Sequence, residues 1–513
     1  MNIALTGNDL TLEHVESVAL RGEECELAPG ARAAMLRSRA VIERVVESEK
    51  TAYGVNTGFG ELAEVRISSD QIRKLQLNLI RSHACGVGAP LSKAETRAVL
   101  LLRANALAKG LSGVRPVIVE VLCAMLNRGV HPVIPSQGSV GASGDLAPLA
   151  HLAQVVIGEG EAVFRGARMP GRDALEGAGI APLALEAKEG LSLLNGTQGM
   201  LALLALAIGE AQLLADAADV AAALSMDALR GSPAAFDARI AAARPHPGHA
   251  LVARNLMHLN RGSRIRESHR SAMHDPRVQD AYSLRCTPQV HGAVRDALAQ
   301  VRRTAEIELN SATDNPLVFA ETGGAAGASV VVSGGNFHGQ PLAMASDQMA
   351  VALATLGGIA ERRIAHMTNP QTSLLPAFLT ADPGLNSGFM LAQVTAAALA
   401  GENKVFATPH SVDSIPTSGD QEDYVSMGMA AARRLKPMIE NLRRILAIEL
   451  LCACQGIELL APLTTGAEAE RAKALVRSRA ARLDADRSLA PDIEAVAALI
   501  ATGEFSQFLV QER

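Results

Sequence analysis

Long apolar helical segments constrain this chain more than any other feature of its sequence. Two segments, 199–229 and 435–460, are apolar on more than one face. A third, Leu342–Met367, has one apolar face whose members are four, three, four and four residues apart: Met349, Leu353, Leu356, Ala360 and Ile364. That spacing is typical of one buried helical face, whereas a helix that is apolar all round must be enclosed by others. We therefore expect the first two segments at the centre of a bundle or in a subunit interface.

Composition favours the same fold class. Apolar residues make up 48% of the 513 residues, but aromatic residues only 3%, so the apolar share consists mainly of Ala, Leu, Val and Ile. Ala and Leu favour helices, whereas strands favour β-branched and aromatic residues. The sequence therefore predicts a mainly all-α fold. We expect a smaller N-terminal domain over residues 1–110 and a second domain over 111–513 that ends in a charged helical tail from about residue 463.

Charge and cysteine content exclude several classes of protein. The net charge of −5 carries no basic stripe, which argues against a nucleic-acid partner. The N-terminus lacks a signal-peptide pattern, and the apolar run Gly199–Gly209 stops at Glu210, too short to span a membrane, so a cytoplasmic protein is expected. Six cysteines show no metal-ligand spacing, and Cys452 and Cys454 are interpreted as core residues. Five histidines within 246–274 are interpreted as part of a solvated loop, so no metal is predicted.

Polar, glycine-containing loops interrupt the helical segments at 137–145, 195–198, 275–289, 333–340 and 409–423. Loops carry function when a rigid scaffold positions them. Five such loops on one helical scaffold predict an active site.

The run from Gly138 to Ala150 is the most informative of these loops. It could form an ordinary turn, and Asp145 could be a helix N-cap. A serine-hydrolase elbow needs G-x-S-x-G, but Ser143 is followed directly by Gly144, so that interpretation fails. Attack of the Gly144 nitrogen on the Ala142 carbonyl would instead close a five-membered ring with loss of water. Loss of the Ser143 hydroxyl as a second water would leave an electrophilic methylidene group, and small neighbours permit the close approach that this needs.

Six further motifs accompany this run, in chain order: 51–60 (TAYGVNTGFG), 194–198 (LNGTQ), 280–286 (DAYSLRC), 313–316 (TDNP), 334–338 (GGNFH) and 386–390 (NSGFM). Together they resemble the aromatic amino acid ammonia-lyases over residues 50 to 465. The S-x-M-P-x-K-x-N loop of the related fumarases and aspartases is absent. The resemblance implies a bundle of long parallel helices, a homotetramer with shared active sites, and 4-methylideneimidazol-5-one formed from Ala142-Ser143-Gly144. It implies an amino acid substrate and no requirement for a metal or nucleotide.

The same resemblance implies a role for individual residues. Tyr53 matches the base that removes the β-proton. Arg285 matches the group that holds the substrate carboxylate, a task suited to a planar guanidinium group that can donate two parallel hydrogen bonds. Asn195 matches a residue that forms a hydrogen bond to the prosthetic group and assists the reacting amine. Asp145 matches a residue that assists ring closure. The remaining matches lie near the prosthetic group or in the pocket wall: Gln279, Tyr282, Phe337 and Met390.

Substrate preference depends on fewer positions. Ser82-His83 and Gln421-Glu422-Asp423 resemble the histidine-specific branch, and an imidazole N–H can use a buried glutamate, whereas an apolar ring cannot. The expected reaction is non-oxidative elimination of ammonia from L-histidine to give urocanate, the first step of histidine degradation. Three departures from that branch, Gly339-Gln340, Gly419-Asp420 and Tyr424, leave open a histidine 2,3-aminomutase or a lyase for a modified histidine. An inactive helical scaffold is the alternative from another class.

Overall fold

The computed structural model describes residues 2–48, 54–55, 57, 67–68, 71–270, 277–320 and 330–510. The fold is mainly helical, as the composition predicts. The chain divides into two compact units. The first unit comprises Met1–Leu206, Arg302–Asp347 and Pro409–Arg433, and the second Ala207–Val301, Gln348–Thr408 and Arg434–Arg513.

The first unit contains nine helices among its described residues: Leu12–Glu16, Pro29–Glu47, Ile72–His83, Lys93–Ala108, Pro116–Arg128, Leu146–Val156, Gly171–Gly177, Glu189–Leu194 and Gly428–Arg433. A π-helical turn, Ser17–Arg21, follows the first helix. Lys93–Ala108 begins at a capping box in which Ser92 and Glu95 exchange hydrogen bonds, and its buried residues pack on Pro116–Arg128. The boundary predicted between residues 110 and 111 falls between these two packed helices, so it does not coincide with the division into units.

Short strands among the described residues of the first unit form four small sheets. Ile3–Leu5 pairs in parallel with Cys25–Leu27, and the other pairs are antiparallel. Those pairs are Val87–Pro90 with Pro135–Gln137, Glu161–Phe164 with both His131–Pro132 and Ala167–Pro170, and Leu317–Phe319 with Val330–Val332.

Three long helices belong partly to each unit: Gln198–Ala228, Thr287–Leu309 and Gln340–Thr368. The predicted apolar face of 342–367 is confirmed, because the five residues that define it, from Met349 to Ile364, are each at most 1% exposed. Gln198–Ala228 and Gln340–Thr368 are also long and apolar enough to cross a membrane by length and composition alone. The uninterrupted apolar run 199–209 is the first part of the helix Gln198–Ala228, which agrees with the predicted segment 199–229. In their most apolar windows 67% and 61% of residues are buried, as in the core helices of soluble proteins.

The second unit is built around Leu435–Leu459, which packs against Met390–Phe406 and Ala490–Ala501. Its remaining described helices are Ala238–Ala243, Pro247–Leu259, Arg264–Ser268, Tyr282–Arg285, Pro370–Ser373 and Ala467–Arg477, with 3₁₀ turns at Pro233–Phe236, Ala377–Leu379 and Glu504–Phe508. Leu435–Leu459 is buried along most of its length, as predicted for a segment that is apolar on several faces, and Cys452 and Cys454 are core residues.

The interpretation of 246–274 as a solvated loop was wrong for its described part. Residues 247–259 and 264–268 are helical, and His249 and His269 are buried. The apolar residues Val252, Leu256 and Leu259 are four and three positions apart, so they bury one helical face that the histidine-rich composition conceals. The predicted loop 275–289 likewise contains Tyr282–Arg285 and the start of Thr287–Leu309.

Candidate active site

The loop that carries Ala142-Ser143-Gly144 is held by a close backbone contact with Gly196. Gly144 has a φ of +72° and forms an isolated bridge with Gly196. A Cβ atom at Gly144 would lie 2.1 Å from the Gly196 carbonyl oxygen, so only glycine fits. The Asp145 amide donates to that same oxygen at 2.7 Å. Ala142 is buried and Ser143 half-buried.

Asp145 occupies the N-cap position of Leu146–Val156, but its side chain makes no capping hydrogen bond. Its Oδ2 accepts from the Met200 amide at 2.7 Å, and its Oδ1 from the Ser139 hydroxyl at 3.0 Å. Burial raises the pKa of Asp145 to about 6, against the opposing effect of these hydrogen bonds. A carboxyl group with this pKa can change protonation state near neutral pH, unlike an ordinary cap.

Glu422 lies against the serine of the loop. The Ser143 hydroxyl donates to Glu422 Oε1 at 3.0 Å, and the Thr417 hydroxyl donates to Oε2 at 2.8 Å. Thr417 and Glu422 also form an isolated antiparallel bridge, which fixes the backbone that carries the carboxylate. The neighbouring Gln421 is exposed, whereas Glu422 is half-buried. The structure thus brings the loop 142–144 and Glu422 together.

His83 ends the helix Ile72–His83. Its Nδ1 lies 2.9 Å from the Leu79 carbonyl oxygen, which can only accept, and 3.0 Å from the Ser82 hydroxyl, which itself donates to Leu79. These contacts favour the tautomer with the proton on Nδ1, which leaves Nε2 as an acceptor. Burial lowers the pKa of His83, and the Glu422 carboxylate, which also accepts from Ser143, opposes that shift.

Asn195 directly follows the helix Glu189–Leu194 and is buried. Its Nδ2 donates to the Asn315 carbonyl oxygen at 3.2 Å and more weakly to Asp314 Oδ1 at 3.5 Å. Its Oδ1 is buried and accepts no hydrogen bond from any described residue. The next residue, Gly196, contacts the 142–145 loop, so Asn195 lies close to that loop and belongs to the same candidate site.

The loop 333–340 borders the same site. Phe337 is half-buried, and the Gly339 amide donates to the Gly141 carbonyl oxygen at 3.3 Å. A Cβ atom at Gly339 would lie 2.6 Å from Met200 Sδ. The ring of Tyr424 stacks on His338 with 6.1 Å between ring centroids.

Four predicted site residues lie in the second unit: Gln279, Tyr282, Arg285 and Met390. Tyr282 and Arg285 fall on one side of a short helix, as their spacing predicts, and the guanidinium lies 4.5 Å from the centroid of the tyrosine ring. Tyr282 is 70% exposed, and Arg285 Nε is a buried donor without a partner among the described residues. Gln279 is exposed, and Met390 begins the helix Met390–Phe406 half-buried.

Tyr53 lies outside the described residues. Its described neighbours Gly54, Val55 and Thr57 are buried, and the Gly54 amide donates to the Thr57 hydroxyl at 3.2 Å. Across the described ranges, no group of three or more His, Cys, Asp or Glu side chains is arranged to hold a metal ion.

Sequence analysis missed several residues that build this site: Arg103, Ser139, Lys188, Met200, Asp314 and Thr417. Ser139 and Asp314 lie inside the motifs 138–150 and 313–316, so both residues belong to segments that the sequence singled out, but no structural role was predicted for them. Nothing in the sequence distinguishes the others from ordinary core or loop residues.

Comparison with known proteins agrees with this arrangement. Residues 10–478 match the model of a family described as aromatic amino acid lyase. The chain is 55% identical over 509 residues to histidine ammonia-lyase of Koribacter versatilis, covering 98% of each chain. The crystal structure of histidine ammonia-lyase from Trypanosoma cruzi has a TM-score of 0.90 at 42% identity, covering 100% of this chain and 99% of that one. Tyrosine aminomutase from Streptomyces globisporus has a TM-score of 0.94 at 39% identity and full coverage of both chains. The chain belongs to the aromatic amino acid lyase family.

Proposed function

We propose that the protein eliminates ammonia from L-histidine without oxidation, giving urocanate in the first step of histidine degradation. The observation that carries this assignment is the Glu422 carboxylate, held 3.0 Å from Ser143 and close enough to His83 to influence its pKa. A half-buried carboxylate beside the reacting loop suits an imidazole N–H and would be unfavourable against an apolar ring. The 55% identity to a histidine ammonia-lyase over nearly the full chain supports the same substrate.

The prosthetic group that we propose is 4-methylideneimidazol-5-one from Ala142-Ser143-Gly144, with no metal or nucleotide. Its fit is supported by the left-handed Gly144, by the close approach to Gly196, and by the buried Asn195 Oδ1, which has no hydrogen-bond partner in the part of the chain that the structure describes. When formed, the group supplies an electrophile toward the substrate amine, which makes nitrogen a better leaving group. Asp145, with its pKa raised to about 6, is linked to the loop through the Ser139 hydroxyl, which lies 3.0 Å from Asp145 Oδ1 and 3.3 Å from the Gly144 carbonyl oxygen, and its proposed role is to exchange a proton during ring closure.

Ring recognition follows from the two side chains beside Ser143. Loss of the Ser143 hydroxyl during dehydration removes the donor now bound to Glu422 Oε1, so that oxygen becomes available to an imidazole N–H. His83 presents Nε2 as an alternative acceptor for the single N–H of a neutral imidazole, because its Nδ1 faces the Leu79 carbonyl oxygen. Thr417 keeps Glu422 in place through Oε2. Gln421 is proposed to contribute through its position next to Glu422.

The roles of the other site residues are proposals from the family resemblance. Tyr53 removes the β-proton, and Arg285 binds the substrate carboxylate. The buried, unpaired Nε of Arg285 supports this role, since a buried donor normally has a partner. Tyr282, stacked on Arg285, and Gln279 lie near the prosthetic group in this proposal. Phe337 and Met390 form the pocket wall, and both are half-buried.

We further propose a cytoplasmic homotetramer in which active sites combine residues from more than one subunit. The helix Met390–Phe406 exposes Leu391, Val394 and Val405, each more than half accessible in the single chain. Large apolar side chains repeated along one exposed helix favour burial against a partner, and a second copy of the chain is the partner that the family implies.

A histidine 2,3-aminomutase is the second candidate, favoured by the TM-score of 0.94 to a tyrosine aminomutase. Incubation with L-histidine and chromatographic separation of urocanate from β-histidine distinguishes the two. Urocanate with an equal amount of ammonia is expected, and Ser143→Ala protein is the control for background. Accumulation of β-histidine would assign the mutase. Absence of both products would favour a lyase for a modified histidine or an inactive scaffold.

A further inference from the structure

A buried ion pair between Lys188 and Asp314 lies next to Asn195. Lys188 Nζ donates to Asp314 Oδ2 at 2.7 Å and to the Ser192 hydroxyl at 2.9 Å, and Ser192 itself donates to Asp314 Oδ2 at 2.8 Å. The two charged side chains are 0% and 3% exposed. Such a pair is costly to desolvate, so a buried ion pair is weak evidence for a purely stabilising role.

Lys188 also has an unusual backbone. Its φ of +69° lies in the left-handed region, which residues with a Cβ atom rarely adopt and where glycine would be favoured. Strain of this kind persists only where the surrounding structure maintains it, and it concentrates near functional sites. We therefore attribute the presence of lysine at this position to the hydrogen bonds that its side chain makes with Asp314 and Ser192.

The second oxygen of Asp314 determines the orientation of the Asn195 amide. Asp314 Oδ1 and the Asn315 carbonyl oxygen both face one end of that amide, and both are acceptors. Only the amide nitrogen can face them, so Asn195 Oδ1 must point the other way. That oxygen is the buried atom that accepts no hydrogen bond from any described residue. The amide is thus oriented with a free acceptor.

The main chain at Asn195 is fixed independently. Arg103, which is fully buried, donates from Nη1 to the Asn195 carbonyl oxygen at 3.0 Å and to Gln198 Oε1 at 2.6 Å. Gln198 Nε2 donates to the Thr313 hydroxyl at 2.8 Å. Because the next residue, Gly196, contacts the 142–145 loop, movement of Asn195 relative to that loop is restricted.

We propose that Lys188 and Asp314 are positioning residues for the ammonia-lyase reaction. Lys188 holds the Asp314 carboxylate, which holds Asn195 so that Oδ1 accepts a hydrogen bond from the substrate amine. This inference depends on the proposed function, because it assumes an amine-bearing substrate beside Asn195. The substitution Asp314→Asn preserves size but replaces one of the two acceptors that face the Asn195 amide nitrogen by an NH₂ donor, so that only the Asn315 carbonyl oxygen still favours the observed orientation.

The first measurement compares steady-state kinetics of the unmodified and Asp314→Asn proteins with L-histidine. We expect kcat to fall about ten- to a hundredfold, the effect of losing one charge-assisted hydrogen bond, with little change in KM. Intact mass should still show the loss of two waters. Asp227→Asn is the matched control, because Asp227 is also a buried aspartate that accepts from hydroxyl groups, those of Ser263 and Thr465. Its kcat should stay within about twofold of the unmodified value.

The second measurement uses ligand binding without turnover. In a Ser143→Ala background, Asp314→Asn should weaken binding of L-histidine about tenfold and leave imidazolepropionate, which lacks the amine, unaffected. If Asp314→Asn does not fold because Lys188 loses its carboxylate, Lys188→Gln/Asp314→Asn removes both charges and carries the same expectation. Equal weakening of the two ligands, or an equal loss of kcat in Asp227→Asn, would overturn the positioning role. No urocanate from the unmodified protein would instead overturn the proposed function, while the binding comparison would still decide the role of Asp314.

Discussion

At the scale of single residues, Ser143 and Gly144 have the most specific chemical consequence. Ring closure at 142–144 followed by dehydration removes two waters from the chain. We therefore expect the intact mass of the active protein to be lower than the sequence mass by two waters. Ser143→Ala has no hydroxyl to lose, so it should be inactive and should show at most the first loss. An active preparation with the full sequence mass would contradict the proposed prosthetic group.

Glu422 and His83 make the choice of substrate testable. Glu422→Ala removes a charge-assisted hydrogen bond to the imidazole, which should cost about 1.5–3 kcal/mol, or ten- to a hundredfold in kcat/KM for histidine. Phenylalanine cannot use this acid, so its turnover should fall much less. His83→Leu should shift preference toward apolar rings in the same direction. Kinetics of both variants with both amino acids check this, and equal losses would show that these residues support the site without recognising the ring.

The tautomer of His83 predicts a pH dependence. His83 must be neutral to accept through Nε2, and burial lowers its pKa below the ordinary 6.5, so it becomes charged only at more acidic pH. Its contribution to kcat/KM should therefore be complete at neutral pH and disappear as the pH falls below 6.5. The ratio of kcat/KM between unmodified protein and His83→Gln isolates this effect, because ionisation of the substrate affects both alike. A ratio that stays constant over the whole acidic range in which both proteins remain folded would exclude His83 as the acceptor.

At the scale of helices, buried polar contacts hold the second unit together. Glu449, on Leu435–Leu459, accepts from Arg363 Nη2 at 3.0 Å and from the Ser225 hydroxyl at 2.8 Å, and both charged side chains are fully buried. Glu449→Ala leaves Arg363 buried without its carboxylate and should lower the free energy of unfolding by about 3–5 kcal/mol. Glu161→Ala, which removes an exposed pair with Arg168, should leave urea unfolding almost unchanged. Comparable destabilisation by the two substitutions would mean that burial of the pair does not matter.

The long helices were predictable because hydrophobic periodicity is local. The buried face of 342–367 could be identified from five residues within sixteen positions. The buried helix at 247–259 was missed because its apolar residues are interspersed with His and Asn, which suggested a loop. Patterns therefore predict helices reliably where one residue class dominates the face.

The site could be predicted only where its chemistry is contained in a short motif. The loop 142–144 and Glu422 were each singled out from short motifs, but their contact was not predicted, and the pairing of Lys188 with Asp314 joins residues 126 positions apart. Such a contact is produced by tertiary packing and leaves no local pattern. The same holds for Asp145, whose spacing predicts an N-cap but whose carboxylate binds the Met200 amide instead.

At the scale of the whole molecule, the proposed site residues are distributed between two units. Ser143, Asn195 and Glu422 belong to the first, and Tyr282 and Arg285 to the second. The family resemblance implies that one active site takes such groups from different chains. The exposure of Tyr282, unusual for a residue near a reacting group, agrees with a surface that a partner subunit covers.

Complementation between inactive chains tests this arrangement. Tyr53→Phe and Ser143→Ala chains, each inactive alone, should regain activity when they assemble together, because some sites then combine an intact Tyr53 with an intact Ser143. Random assembly of equal amounts places both intact residues in about a quarter of the sites, which sets the expected recovery relative to unmodified protein. Mixing Ser143→Ala with Asn195→Ala is the matched control and should give no recovery, since these two residues belong to neighbouring loops in contact within one chain. Recovery is measured as urocanate formation by mixed oligomers that carry two affinity tags and are purified on both. Inactive mixed oligomers in the first pair would place Tyr53 and Ser143 of each site on the same chain.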